Sequence, residues 1–108
     1  MNGNGMKNIK NSILLDFYGD LLTEKQYEAV NLHCNEDYSL AEISEQTGIT
    51  RQGVLESIKK GVDNLAYFEE KLKLHEKSVK RDEILSKISD MTDEESIKEL
   101  LNEIRGVN

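Results

Sequence analysis

Thr50, Arg51 and Gln52 stand in succession directly after Gly48 and Ile49. These side-chain types can read nucleic acid. A guanidinium makes paired bonds to guanine or to phosphate, and a carboxamide can do the same with adenine. Lys59 and Lys60 follow about two turns later if the segment is helical. A second set of cations, Lys73, Lys77, Lys80 and Arg81, lies within the stretch from Lys71 to Arg81, where five positive residues meet one acid, Glu76. At helical spacing these four crowd one side. Such a patch suits an RNA backbone or an acidic partner, and also an ordinary solvated helix face. It holds no aromatic residue, so base stacking is not expected within it.

Other chemistries find little support. His33 and Cys34 are adjacent, but His75 is remote, and zinc needs three or four ligands at short recurring spacings. Cys34 has no identifiable base partner and reads as a small buried hydrophobe. The carboxylates are spread at helix-surface spacing and do not suggest a paired acid and base in a cleft. No Gly-rich phosphate loop is present. The expectation is a protein that binds rather than catalyses, with no metal and no cofactor.

The elements that must position these residues read as helices throughout. Among 108 residues there is no Pro to interrupt a helix. Residues 1–5, with two Gly and two Asn, read as a mobile tail. A first helix is expected from Met6, with Ile9, Ile13, Leu14, Phe17 and Tyr18 as its apolar stripe and Gly19 as a left-handed stop, Leu21 folding back onto it. Capping boxes open the next helices at Thr23, with Gln26, and at Ser39, with Glu42. Thr50 caps a fourth helix whose stripe is Val54, Leu55, Ile58, Val62, Leu65, Phe68 and Leu72, and which could run on towards Ser89. Thr92 marks the last start, before Ile97, Leu100, Leu101 and Ile104.

The stretch Ser39 to Lys60, SLAEISEQTGITRQGVLESIKK, has the form of a helix–turn–helix. Two helices crossing steeply need a tight connection, and Gly48 can supply its positive φ. Ile43 and Thr47 before the turn and Ile49, Val54 and Ile58 after it would form a shared core. Arg51 and Gln52 then fall in the first turn of the second helix, the end that reaches base edges in DNA-binding versions of this motif. Charge weighs against a generic interface: from Ser39 to Leu65, Arg51, Lys59 and Lys60 face Glu42, Glu45, Glu56 and Asp63. Gly53 and Gly61 interrupt the proposed recognition helix at roughly 1 kcal/mol each relative to Ala, either as tolerated drift or because another group approaches closely.

The run ILLDFYGDLLTEKQ from Ile13 to Gln26, the acidic turn Asn35-Glu36-Asp37 and the SLAEISEQTGITRQGVLESIKK block together resemble the YlxM family of small bacterial helix–turn–helix proteins. That family is similar to region 4 of sigma factors. The resemblance spans about residues 8 to 105. It implies an all-α protein, possible dimers, and a regulatory or accessory role in the signal recognition particle pathway. Thr50, Arg51, Gln52 and Val54 carry over as recognition-helix positions. Gly53 departs from the Ala expected there, and Leu55 from a common aromatic.

The chain as a whole is acidic, 14 Lys and Arg against 21 Asp and Glu, a net charge of −7. Bulk charge therefore does not favour nucleic acid, and any interface must be local. The lone cysteine suits a reducing compartment, no apolar run is long enough for a membrane span, and no secretory signal is evident, so a cytoplasmic protein is expected. The expected organisation is an all-α fold: the tail at 1–5, a helix–turn–helix domain at 6–70, and a C-terminal helical arm at 71–108. Two functions are open. The first is nucleic-acid binding, to DNA or to the particle's RNA, through Thr50, Arg51, Gln52, Lys59 and Lys60, aided by Lys73, Lys77, Lys80 and Arg81. The second is a protein adaptor whose arm, with Ile84, Leu85, Ile88 and the last helix, packs on a partner such as the particle's GTPase or on a second copy.

Overall fold

A computed structural model describes residues 4–106, and side chains from Asn8 onward. Among the described residues the fold is all-α, without strands: six α-helices and one 3-10 turn. It divides into two compact units, one ending at Leu72 and the other beginning at Lys73.

The first unit holds α1 (Asn4–Tyr18), a 3-10 turn (Gly19–Leu21), α2 (Glu24–Cys34), α3 (Leu40–Thr47) and α4 (Arg51–Leu72). Its helix starts are written locally. Thr23 Oγ1 accepts from the Gln26 N–H at 3.2 Å, and the Thr23 N–H donates to Gln26 Oε1 at 3.3 Å. Ser39 and Glu42 make the same reciprocal pair at 3.1 and 3.0 Å. Between them, Asp37 takes a left-handed φ of 58° in the loop that carries the chain from α2 to α3.

Two apolar clusters share α2 and α4. Leu14, Leu15 and Tyr18 of α1 meet Val30 and Leu65, with Phe17, Leu22, Cys34 and Phe68 around them. Ala29 and Leu32 of α2 meet Ile43, Val54 and Ile58, with Tyr38, Leu40 and Ile49 alongside. Val62 packs against both and joins them. Each large side chain removed from water contributes about 1.5–3 kcal/mol before entropy is counted. At the rim of the first cluster the Tyr18 hydroxyl donates to Glu69 Oε1 at 2.5 Å, tying the end of α1 to α4. At Gly61 the two central helices approach closely: a Cβ there would meet Val30 Cγ2 at 2.6 Å and the Gln26 carbonyl oxygen at 3.5 Å. That position is a close helix–helix approach and not drift.

The second unit is the hairpin of α5 (Leu74–Asp90) and α6 (Glu95–Arg105). Among the described residues, Leu85 and Leu101 are its only buried hydrophobic residues. Arg105 bonds Ser86 Oγ at 2.9 Å and Asn102 Oδ1 at 3.2 Å.

Several sequence expectations are corrected. Residues 1–3 of the expected tail lie outside the described residues, but Asn4 and Gly5 already belong to α1. In a first turn the N–H groups lack intrahelical partners anyway, so Gly5 is tolerated. Gly19 is not a left-handed stop. The chain tightens into a 3-10 turn there, the Tyr27 ring lies 2.7 Å from where a Gly19 Cβ would stand, and Leu22 packs inward while Leu21 stays exposed. The long helix does not continue to Ser89: Lys73 adopts φ 55°, ψ 32° and separates α4 from α5. Thr92 is not the final cap. Its Oγ1 accepts from the N–H of Glu94, two residues on, at 3.1 Å, and that local bond moves the helix start to Glu95.

Candidate nucleic-acid interface

The helix–turn–helix is built by α3, the turn Gly48–Thr50 and α4. Gly48 is left-handed, φ 76°, ψ 8°, and its N–H closes on the Ser44 carbonyl at 2.9 Å. The Thr47 hydroxyl donates back to the Ile43 carbonyl at 2.7 Å and accepts from the Ile49 N–H at 3.3 Å. One side chain thus satisfies groups on both sides of the bend. Thr50 Oγ1 then accepts from the Gly53 N–H at 3.0 Å and caps α4. Beneath the turn, Ile43 and Val54 are sealed from water, with Ile58 beside them. Ala29 and Leu32 of α2 complete this core; they belong to a different helix from the motif, and the motif's own spacing does not announce them.

Gly53 is also explained from within. A Cβ there would stand 2.8 Å from Ile49 Cγ2 and 3.2 Å from Thr50 Oγ1. Glycine lets Ile49 fold under the first turn of α4. The approach comes from the turn's own side chains.

With Thr50 occupied as a cap, Arg51 and Gln52 stand exposed in the first turn of α4. Lys59 and Lys60 are exposed further along the same helix, with Glu56 and Asp63 close to them on the helix surface. Among the described residues, Arg51, Lys59 and Lys60 form no ion pair. Neighbouring carboxylates soften the local potential without clamping the cations. The Glu42 carboxyl, at the start of α3, is held below its ordinary pKa by the Ser39 backbone N–H and then by the Ser39 hydroxyl.

The second cationic set belongs to the second unit. Lys73 sits at the left-handed break, off the regular helix, with its Nζ 3.9 Å from Glu76. Lys77 and Lys80 are exposed on α5. Arg81 is turned partly inward: its guanidinium donates to Ser78 Oγ at 3.3 Å and lies 3.9 Å from Asp82. As a surface contact Arg81 is therefore weaker than its spacing suggests, because the same spacing also brings Ser78 within its reach.

Sequence reading of α4 followed its apolar stripe and passed over an exposed row. Lys60, Asn64, Tyr67 and Lys71 follow one another at intervals of four, three and four residues, and all are exposed. That interval pattern is the signal by which the sequence could have yielded it.

Cys34 behaves as a packing residue. Burial pushes its thiol above the ordinary value, and its Sγ lies 3.7 Å from Asn8 Oδ1. Among the described residues no His, Cys, Asp and Glu group converges as a metal-binding set. No helix of the described residues is long and apolar enough to cross a membrane.

Comparison with known proteins agrees with this geometry. A family profile described as "Putative helix-turn-helix protein, YlxM / p13 like", UPF0122, matches residues 6–104. A UPF0122 protein of Acetivibrio thermocellus is 54% identical over 63 residues, which span 58% of this chain and 54% of that relative. UPF0122 proteins of Halalkalibacterium halodurans and Clostridium perfringens are each 40% identical, over 95 and 97 residues. Those matches span 88% and 85% of this chain and 87% of either relative. The profile covers nearly the whole sequence and the relatives share most of it, so this chain belongs to the UPF0122 family of YlxM-like helix–turn–helix proteins.

Proposed function

We propose that this protein acts by binding nucleic acid through its helix–turn–helix, as a regulatory or accessory protein without chemistry of its own. The observation that carries this reading is the leading end of α4. Gly48 sets the bend, Thr50 caps α4 as an acceptor, and Arg51 and Gln52 are exposed to solvent. The contact residues are Thr50, Arg51, Gln52, Lys59 and Lys60, with Lys73, Lys77, Lys80 and Arg81 as auxiliary cations. The resemblance to region 4 of sigma factors favours duplex DNA. The family's implied link to the signal recognition particle favours that particle's RNA, and a cytoplasmic setting suits either.

The charge balance shapes the expected behaviour. Along α4, Arg51, Lys59, Lys60 and Lys71 are matched by Glu56, Asp63, Glu69 and Glu70. Binding then rests on a few local contacts. A log–log salt slope of about −3, from three or four phosphates, is the corresponding expectation. The test is a titration of labelled particle RNA and of random duplex DNA at low and moderate salt. Arg51→Ala is expected to weaken binding about tenfold while leaving the helical spectrum unchanged. Absence of binding to either probe at low salt, or indifference to Arg51→Ala and to neutralising Lys77 and Lys80, overturns the reading.

A second reading has its own observation. The α5–α6 hairpin leaves Ile84, Ile88, Leu100 and Ile104 between 41% and 58% exposed, and Met91 at 84%. An apolar face of this extent favours a protein contact through the arm, a homodimer or the particle's GTPase. The oligomeric state in solution separates a self-contact from a contact with another protein.

A further inference from the structure

The row Lys60, Asn64, Tyr67 and Lys71 carries a distinct capability. Tyr67 is 55% exposed. Its neighbour Phe68 meets it edge-on, with ring centroids 6.0 Å apart, and Phe68 in turn approaches Tyr18 at 6.0 Å. Tyr18 is sealed in the core. The exposed ring therefore has an edge contact that leads through Phe68 to the core. The Lys71 ammonium lies over the Tyr67 ring, 5.6 Å from its centroid. One turn before Tyr67, the Asn64 amide donates to Gln26 Oε1 at 3.4 Å. This holds Asn64 in place on α4 and leaves its own carbonyl oxygen available as an acceptor. Lys60 stands one turn earlier and is exposed. The acids Asp63 and Glu70 fall on the other flank of Tyr67 by helical position, so the row has a cationic edge.

An exposed ring with a flexible lysine ammonium over its face suits one ligand chemistry, in which a base takes the ammonium's place on the ring and the ammonium moves to a phosphate. The lysines complement phosphates, the ring offers a stacking platform, and the amide can meet a base edge. A paired base lies inside its stack and presents no face to such a ring, so the base must be unpaired. We infer that the Lys60–Asn64–Tyr67–Lys71 face of α4 binds a single-stranded nucleotide segment, with Tyr67 stacking on an unpaired base. This rests on the nucleic-acid reading above and shares Lys60 with it, but extends along α4 to about five and a half turns from Arg51. Together the two sites would favour a ligand that joins a duplex to a single-stranded stretch.

The test uses the full chain and labelled short oligouridylate, oligothymidylate and a blunt duplex. Tyr67→Leu keeps an apolar side chain and removes the platform. It is expected to weaken single-strand binding about tenfold and leave duplex binding unchanged, while Tyr67→Phe retains wild-type affinity. Lys60→Gln with Lys71→Gln is expected to flatten the single-strand salt slope by about 1.4. Comparison of the two single-strand probes assigns the preference to RNA or to DNA. Single-strand affinity indifferent to Tyr67→Leu overturns this inference alone if the duplex still binds and still responds to Arg51→Ala. Failure of all three probes to bind overturns both readings.

Discussion

At the scale of single residues, two glycines in α4 carry different loads. Gly53 makes room for the turn's own Ile49, whereas Gly61 makes room for α2. Val30, whose methyl group a Gly61 Cβ would strike, is fully buried, and a β-branched side chain in a helix keeps to one favoured χ1. Gly61→Ala is therefore expected to destabilise the protein by about 2 kcal/mol, despite the better helix propensity of Ala. Thermal unfolding followed by circular dichroism reads this, and an unchanged or higher melting temperature would refute the close approach. The same contrast shows what one sequence can disclose. Gly48 and the three hydroxyl caps were legible because partner and residue lie within four positions of each other. The role of Gly61 was not, because its partner stands about thirty residues away and only the packed structure names it. The inward turn of Arg81 was not legible for a different reason: its partners Ser78 and Asp82 are close in sequence, but spacing alone does not say which way the guanidinium turns.

At the scale of elements, the helices of the first unit are started by side chains that close on themselves. The Ser39–Glu42 box opens α3, the support helix of the motif. Ser39→Ala is expected to cost about 1 kcal/mol and to lower the melting temperature. The box as a whole should depend on pH. The Glu42 carboxyl has its pKa depressed in the folded state, so its contribution is present above the ordinary carboxylate range and is lost as pH falls through the depressed value. Because Ser39→Ala keeps the backbone N–H that is the carboxylate's main partner, the pH-dependent part is read with Glu42→Gln, whose gap from wild type is expected to be full at neutral pH and to narrow below about pH 4. A gap independent of pH would show that the carboxylate does not share in the cap. Element boundaries were less legible than element starts. Neither Gly nor Pro marks the break at Lys73, and lysine seldom adopts a left-handed backbone, so nothing in the local sequence announces it.

At the scale of the molecule, the two units differ in how much they hide. Among the described residues, the first has two joined clusters with ten buried hydrophobic members between them, and the second has Leu85 and Leu101. The hairpin is also polar along its length. Lys73, Lys77, Lys80 and Arg81 stand in the half of the hairpin that opens α5, among Glu76, Asp82 and Glu83, while Asp90, Asp93, Glu94, Glu95 and Glu99 outnumber Lys87 and Lys98 around its tip. An antiparallel pair of hairpins would set the basic start of one against the acidic tip of the other, over the Ile84, Ile88, Leu100 and Ile104 face. Sedimentation velocity is expected to show a concentration-dependent dimer that Ile88→Glu converts to monomer, with added salt weakening it. A strict monomer across the concentration range would leave the face to a different protein and remove the self-association reading.

The connection Gly48–Thr50 has a consequence for how such a protein can diverge. Its three residues are all committed: one to the left-handed bend, one to the cluster beneath, one to the cap. One residue inserted between the Thr50 cap and Val54 would turn the rest of α4 by about 100° relative to the cap. Either Val54, Ile58, Gly61 and Leu65 would leave the interior, or the bend itself would have to be rebuilt. The connection works as a phase lock, and changes of length are better accommodated in the stretches before Ser39 and around Thr92.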